Sequence, residues 1–312
     1  MAGKRGEGYA PLDLLPASVI RWIGRQHSSR YLGPLIRRSS QRLRERPRTI
    51  ARGQGRGLRF DPAGTHPGYA LGTSEPEIQE LLAANVKPGS VVWDVGANVG
   101  FLTLIAARLV GPEGRVVAFE PLPSNCEAIR RNLALNEMGN VEVVGVALSD
   151  EVGSAKLDVY RARTLAKLAG HDGEGDRGHG EGGGPAAGAG VEEGAELPAA
   201  GAGAEEGAEP GLGRVLVEQI EVPVSTFDAQ LAEHPAPALV KMDVEGAEAA
   251  ALRGAARLLS QVRPILLCEL HGTADAVMDV LDGHDYEVAT VGEPGVSPRE
   301  ARWYVHILAT PR

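Results

Sequence analysis

Val91-Val92-Trp93-Asp94-Val95-Gly96-Ala97-Asn98-Val99-Gly100 passes from apolar residues through an acid into a turn built from Gly and Asn. Phe101-Leu102-Thr103-Leu104-Ile105-Ala106-Ala107-Arg108-Leu109 follows and reads as a helix. A buried strand, a sharp Gly turn and a helix make the opening βα unit of a nucleotide-binding sheet. Glycine serves such a turn because it accepts positive φ and lets backbone approach a ligand with no Cβ between them. The competing reading is a tight βα turn that holds nothing.

The spacing is Asp94-x-Gly96-x-Asn98-x-Gly100, not the Gly-x-Gly-x-x-Gly of a dinucleotide site. It resembles motif I of the Rossmann-like S-adenosylmethionine-dependent methyltransferases. Asn98 stands where many of those enzymes carry their middle Gly. Asn is the non-Gly residue best suited to a left-handed turn.

The chain has 312 residues and is 43% hydrophobic, enough for a core, while 41 Gly and 21 Pro mark part of it as non-globular. A net charge of −9 hides an asymmetry: residues 1–60 carry fourteen Lys/Arg against Glu7, Asp13 and Glu45. The remainder holds 18 basic and 38 acidic side chains. An acidic body argues against nucleic acid as a partner, since phosphate contacts need basic surface. The basic arm reads as a solvated tail, with weak contact to an anionic membrane surface or an acidic partner as the second reading. Cys126 and Cys268 lie far apart with no Cys/His cluster, so neither a disulfide framework nor a zinc site is expected. No run approaches the ~20 apolar residues of a transmembrane helix. Leu12 to Ile23 is interrupted by Pro16 and Arg21 and lacks a cleavage site, which leaves the cytoplasm as the expected location.

The organisation expected is a basic arm over 1–60 with short amphipathic helices within 10–46, then one domain over 61–312. Thr49 to Phe60 reads as a Gly-interrupted hairpin. A helix starts near Ser74-Glu75-Pro76-Glu77, spaced as a capping box, and Ser124 and Glu127 repeat that spacing. Strands are expected at Arg115–Glu120, Val141–Asp150, Val215–Val224, Pro264–His271, Tyr286–Val291 and Trp303–Ala309, and Leu239–Gly246 reads as a core strand with its exit loop. Helices are expected from about Ala247 to Leu259 and from Ala274 to Leu281, with a short one opening at Ser225-Thr226-Phe227-Asp228. Strands alternating with helices, closing on two strands nearly in succession, describe an α/β doubly wound, mostly parallel sheet with an antiparallel edge strand. About Ala169 to Gly213 is Gly/Ala/Glu-rich with almost no large apolar residue and reads as a disordered insertion in a loop. His171 and His179 within it read as solvated.

Further strings join the first motif: Phe119-Glu120-Pro121-Leu122-Pro123-Ser124-Asn125, Ala147-Leu148-Ser149-Asp150, Val224–Asp228, Lys241-Met242-Asp243-Val244-Glu245-Gly246-Ala247-Glu248 and Cys268-Glu269-Leu270-His271. Together they resemble the FkbM family of S-adenosylmethionine-dependent methyltransferases over roughly residues 70–295, the insertion excepted. The resemblance implies a seven-stranded class I methyltransferase fold, S-adenosylmethionine as cofactor, and methyl transfer to a hydroxyl of a sugar, polyketide or other small metabolite. On matching positions, Gly96, Asn98 and Gly100 would shape the pocket for the methionine portion. Asp94 would place the turn or receive the cofactor's amino group, Glu120 would hold the ribose hydroxyls, and Asn125 and Leu148–Asp150 would lie near the adenosine.

Glu120 lies twenty-six residues after Asp94, which fits one intervening helix and puts its carboxylate at a strand end where a ribose is reached. Asp243, Glu245, Glu269 and His271 also stand at carboxyl ends of core strands. Asp243 and His271 are the expected catalytic groups, because a hydroxyl acceptor must lose its proton. Lys241 and Glu269 read as an ion pair within the sheet, and His306 reads as structural on an edge strand. A metal held by Asp243, Glu245 and Glu269 is the weaker reading, so no metal is expected. The alternatives are a nicotinamide-dependent oxidoreductase, disfavoured by the turn, and an inactive cofactor-binding scaffold.

Overall fold

The computed structural model describes residues 46–160, 166–168, 216–301 and 303–312. The amphipathic helices expected within 10–46 lie, but for Arg46, outside the described residues. The insertion expected at about 169–213, with His171 and His179, also lies outside them.

The described chain enters through a hairpin, β1 (Arg48–Thr49) and β2 (Arg59–Phe60), and two helices, α1 (Pro67–Leu71) and α2 (Pro76–Asn85). β3 (Val91–Val95), α3 (Phe101–Val110), β4 (Arg115–Phe119), α4 (Pro123–Leu135) and β5 (Val141–Val144) follow. A side sheet comes next, from β6 (Ala147–Leu148), β7 (Gly153–Tyr160), β8 (Ala166–Leu168) and β9 (Leu216–Ser225). The chain returns through α5 (Phe227–Gln230), β10 (Leu239–Met242), α6 (Glu248–Arg253), a π-helical turn (Leu258–Val262) and β11 (Ile265–His271). It ends with α7 (Ala274–Asp282), β12 (Tyr286–Thr290) and β13 (Tyr304–Pro311).

Seven strands form the main sheet in the order β12-β13-β11-β10-β3-β4-β5. β11, β10, β3, β4 and β5 are mutually parallel. β13 runs antiparallel to both β11 and β12, so the change of direction sits one strand in from the border. The crossovers cover both faces, which is why β3 and β10, apart from Asp94 and Lys241, are apolar on both sides. Val92, Val116, Leu239 and Leu267 pack in one core cluster, while Trp93, Val117, Val240 and Leu266 pack in the other. The chain order reverses between β3 and β10, and such a switch point opens a crevice at the carboxyl ends.

The entry hairpin belongs to the packed body, so that body begins before Asp61. Ile50, Leu58 and Phe60 are buried in the first cluster beside Phe101, at roughly 1.5–3 kcal/mol each. Asn136 clamps both the amide and the carbonyl of Arg59, and Asn132 does the same for Asp61. A hairpin this short needs such anchors, since two strands alone are marginal in water.

Local expectations fail where proline or glycine intervenes. The Ser74–Glu77 capping box does not form: the helix starts at Pro76, Glu75 takes the cap position at φ 47°, and Ser74 Oγ lies 3.3 Å from His66 Nδ1. Likewise α4 starts at Pro123 behind Leu122, which puts Ser124 inside the first turn. The helix expected to reach Leu259 stops at Arg253. Gly254 lies against the Ser149 carbonyl, where no Cβ fits. The single strand expected over Val141–Asp150 is divided between two sheets, with β6 pairing β9.

Candidate active site

The ends of β3, β4 and β10 open onto a cleft of ≈ 610 Å³, solvent-facing space included, whose far wall is Val146, Leu148 and Leu157 of the side-sheet region. The turn after β3 forms its floor. Gly96, Asn98 and Gly100 all have positive φ, at 72°, 52° and 86°. The amides of Gly96 and Ala97 both donate to the Phe119 carbonyl, at 3.0 and 3.1 Å. A Cβ on Gly96 would overlap the Asp243 carbonyl oxygen. Only glycine lets the β3 turn and the β10 exit lie this close.

Glu120 is buried at the end of β4. Its carboxylate accepts from the Asn98 amide at 2.8 Å, the Leu122 amide at 2.9 Å and Asn125 Nδ2 at 3.2 Å. Burial pushes its pKa up to about 7, against three donors that favour the charged form. The carboxylate thus braces the turn while still lining the cleft. Asn98 Oδ1 is buried and has no donor.

Asp94 lies behind the turn, accepting from Thr103 Oγ1 at 2.5 Å and standing 3.5 Å from Lys241 Nζ. Lys241 also donates to the Gly96 carbonyl at 3.1 Å. Burial alone would lower the Lys241 pKa, but Asp94, Asp243, Glu75 and Glu269 around it hold it above the ordinary value. The ion pair expected between Lys241 and Glu269 is replaced by pairs of each with other groups. Register explains this: Lys241 is opposite Asp94 on β3, whereas Glu269 is opposite His306 on β13. His306 stands on a strand flanked on both sides, not on an edge, with Nε2 2.8 Å from Glu269 Oε2.

His271 Nε2 lies 3.2 Å from Glu269 Oε1, and its Nδ1 lies 3.0 Å from Glu248 Oε1. Burial opposes charge on Glu269, yet His271 and His306 hold its pKa below the carboxylate range. Burial would likewise lower His271, but Glu248 and Glu269 push it up to about 11. Asp243 lines the cleft with Oδ1 buried and without a donor. Burial, reinforced by Glu269, pushes its pKa up to about 6. Burial and Asp243 push Glu245 up to about 8.

The structure thus brings Gly96, Asn98, Glu120, Asn125, Leu148 and Asp243 to one cleft. Gly100 caps α3 against Ile129, and Asp94 supports the turn from behind. Asp150 does not reach the cleft; it is half-exposed and paired with Arg253 at 2.9 Å. His271 stands behind Asp243, not on the wall. Glu248, Thr273, Tyr304 and Glu75 carried no sequence expectation, although Glu248 closes the Asp243–Glu248 string. Two histidines now accompany the acids: Asp243, Glu269 and His271, and likewise Glu75, Glu269 and His306, bring one ligand-type atom each within 4.8 Å. Glu269 is already paired with both histidines.

A model of the methyltransferase FkbM domain matches residues 94–288. The chain is 30% identical over 217 residues to the 31-O-demethyl-FK506 methyltransferase FkbM of Streptomyces tacrolimicus, covering 67% of this chain and 77% of that protein. This chain belongs to the FkbM methyltransferase family. It is also 32% identical over 252 residues to the AMB antimetabolite synthetase AmbE of Pseudomonas aeruginosa, covering 71% of this chain but only 11% of that protein's length. Among solved structures, methyltransferase FkbM from Methylobacillus flagellatus KT aligns at 17% identity with a TM-score of 0.41, covering 89% of this chain and 60% of that one.

The seven-stranded sheet is the class I methyltransferase fold of that family, and S-adenosylmethionine is its cofactor. The site suits it. The cleft offers the unsatisfied acceptor Asn98 Oδ1, the Glu120 carboxylate and a glycine floor, beside an apolar wall at Leu148. No helix among the described residues is long and apolar enough to cross a membrane.

Proposed function

We propose that this chain transfers a methyl group to a hydroxyl of a small molecule of the sugar or polyketide kind. The observation that carries the reading is Asp243: its carboxylate lines the cofactor cleft with one buried oxygen that no donor satisfies. A carboxylate on the cleft wall with a pKa raised to about 6 suits removal of a hydroxyl proton near neutrality. The related Streptomyces protein carries an O-demethyl substrate in its name, which supports oxygen as the acceptor atom.

When bound, S-adenosylmethionine supplies an electrophilic methyl group on a sulfonium. Glu120 holds the ribose hydroxyls, Gly96 and Asn98 receive the methionine portion, and Asn125 and Leu148 flank the adenosine. Methyl transfer asks mainly for position and a water-poor site, and the buried floor of the cleft provides both. Asp243 takes the acceptor's proton while His271, behind it, balances the charge of the neighbouring acids.

Titration calorimetry with S-adenosylhomocysteine tests the first half, and methyl transfer to a panel of glycosides and polyketides tests the second. Binding together with O-methylated product supports the reading. A chain that binds the cofactor product yet methylates only nitrogen or carbon acceptors would overturn it.

A further inference from the structure

Glu248 is completely buried at the first residue of α6. Its two oxygens meet three donors from two places in the chain, the loop after β10 and the end of β11. Oε1 accepts from the Gly246 amide at 2.9 Å and faces His271 Nδ1 at 3.0 Å, while Oε2 accepts from Thr273 Oγ1 at 2.7 Å. An ionised carboxylate only accepts, so the histidine nitrogen facing it carries the proton.

The other side of the ring is also walled by acids. His271 Nε2 lies 3.2 Å from Glu269 Oε1 and 3.7 Å from Glu245 Oε2. Asp243 completes the group with Glu269 and His271. The rings of Tyr304 and Trp303 stand edge-on to His271 at 5.6 and 6.0 Å, closing its remaining flanks. Carboxylates at both nitrogens call for donors at both, and that describes an imidazolium, which has no lone pair to offer.

We infer that Glu248 is a positioning residue for methyl transfer: it binds His271 and the Gly246 amide together, keeps His271 cationic, and so leaves Asp243 as the base. This rests on the reading of Asp243 and His271 given under the proposed function. Glu248 does two things at once. It ties the loop after β10, which carries Glu245, to the end of β11, which carries His271. It also places a full negative charge at Nδ1, which a neutral amide of the same shape cannot do.

The test uses the full chain with ¹⁵N-labelled histidine and bound S-adenosylhomocysteine, the His271 signals being assigned with His271→Asn. In the wild type both ring nitrogens stay protonated from pH 6 to 9. In Glu248→Gln the midpoint falls by on the order of two units, so that deprotonation becomes visible at the top of that range, and kcat drops while S-adenosylhomocysteine affinity stays within about threefold. Glu248→Asp restores part of the shift, since it returns the charge at shorter reach. A wild-type His271 that is neutral at pH 8 overturns the assignment, whether or not the Gln variant folds. An unchanged titration in Glu248→Gln overturns it too. Loss of S-adenosylhomocysteine binding in the wild type would instead remove the methyl-transfer reading itself.

Discussion

Lys241 Nζ stands 3.5 Å from Asp94 Oδ1, and the two residues are directly opposite in the register of β10 and β3. Both are buried, and the same ammonium donates to the Gly96 carbonyl. One cation therefore joins the motif acid, the glycine turn and, at 3.9 Å, Asp243. The turn is held from beneath by charge as well as by glycine.

Lys241→Met should cost about 3–5 kcal/mol, the cost of breaking a buried pair and stranding its acids. Urea unfolding measures it. Lys241→Met combined with Asp94→Asn should cost less than the sum of the two single changes, because the stranded charge is gone. The surrounding acids raise the Lys241 pKa, so its contribution is complete below the unfolded value near 10.4 and is lost only as pH climbs through the higher folded value. A single-variant loss under 1 kcal/mol would show that Lys241 does not hold the turn.

Gly96→Ala and Gly111→Ala separate conformational strain from crowding. Both glycines have positive φ, 72° and 70°. Gly111 faces open space, whereas a Cβ on Gly96 meets the Asp243 carbonyl. Gly111 sits at φ 70°, ψ −175°, a region nearly reserved for glycine, so Gly111→Ala should cost about 1–3 kcal/mol from strain alone. Gly96→Ala should cost roughly 2–4 kcal/mol from strain plus overpacking and abolish S-adenosylhomocysteine binding. Equal melting-point losses for the two variants would mean that the close approach of β3 and β10 is not what requires glycine.

The motif strand, the turn and Glu120 were legible because each is specified by neighbours a few residues away. Period and punctuation located β4, β10, β11 and β13 within one or two residues at most ends. Half of the side sheet was legible: β9 alternates at Ile220, Val222 and Val224, but β7 shows its alternation only at Ala155, Leu157 and Val159, and its pairing with β9 spans the insertion. The Lys241 partner and the inner place of the His306 strand were illegible for a different reason. Parity along one strand tells which face a side chain occupies, but its partner depends on register between strands distant in sequence. Glu248 was passed over because its role appears only when β11 delivers His271 and Thr273 to it. Two capping boxes failed because proline set the helix starts.

If Glu120 holds the ribose, as proposed, it should make cofactor affinity pH-dependent. Its pKa, raised to about 7, means that much of the free chain carries a neutral carboxyl in mild acid. Ribose hydroxyls prefer the charged acceptor, so S-adenosylhomocysteine affinity should be full above about pH 7 and weaken by up to about tenfold per unit below it. Glu120→Gln should remove that dependence. It should also raise Kd by roughly tenfold to a hundredfold, because an amide satisfies the Asn98 and Leu122 amides less well than a carboxylate does. Calorimetry from pH 5.5 to 8.5 reads both. A flat wild-type profile would place the titrating group elsewhere.

If Asp243 is the base, as proposed, it should set the acid limb of turnover. The base must be ionised, and burial beside Glu269 places its pKa at about 6. The rate constant kcat should therefore be on its plateau at neutral pH and fall tenfold per unit as pH drops below that value. Asp243→Asn should lower kcat by about 10²–10⁴-fold and erase the limb. S-adenosylhomocysteine affinity should change only a few-fold, because Glu120, Asn98 and Gly96 remain in place. His271 contributes no limb in this range, since the acids around it push its pKa up to about 11. A limb that survives in Asp243→Asn would transfer the role of base to Glu245, whose carboxylate also lines the cleft and is pushed up to about 8.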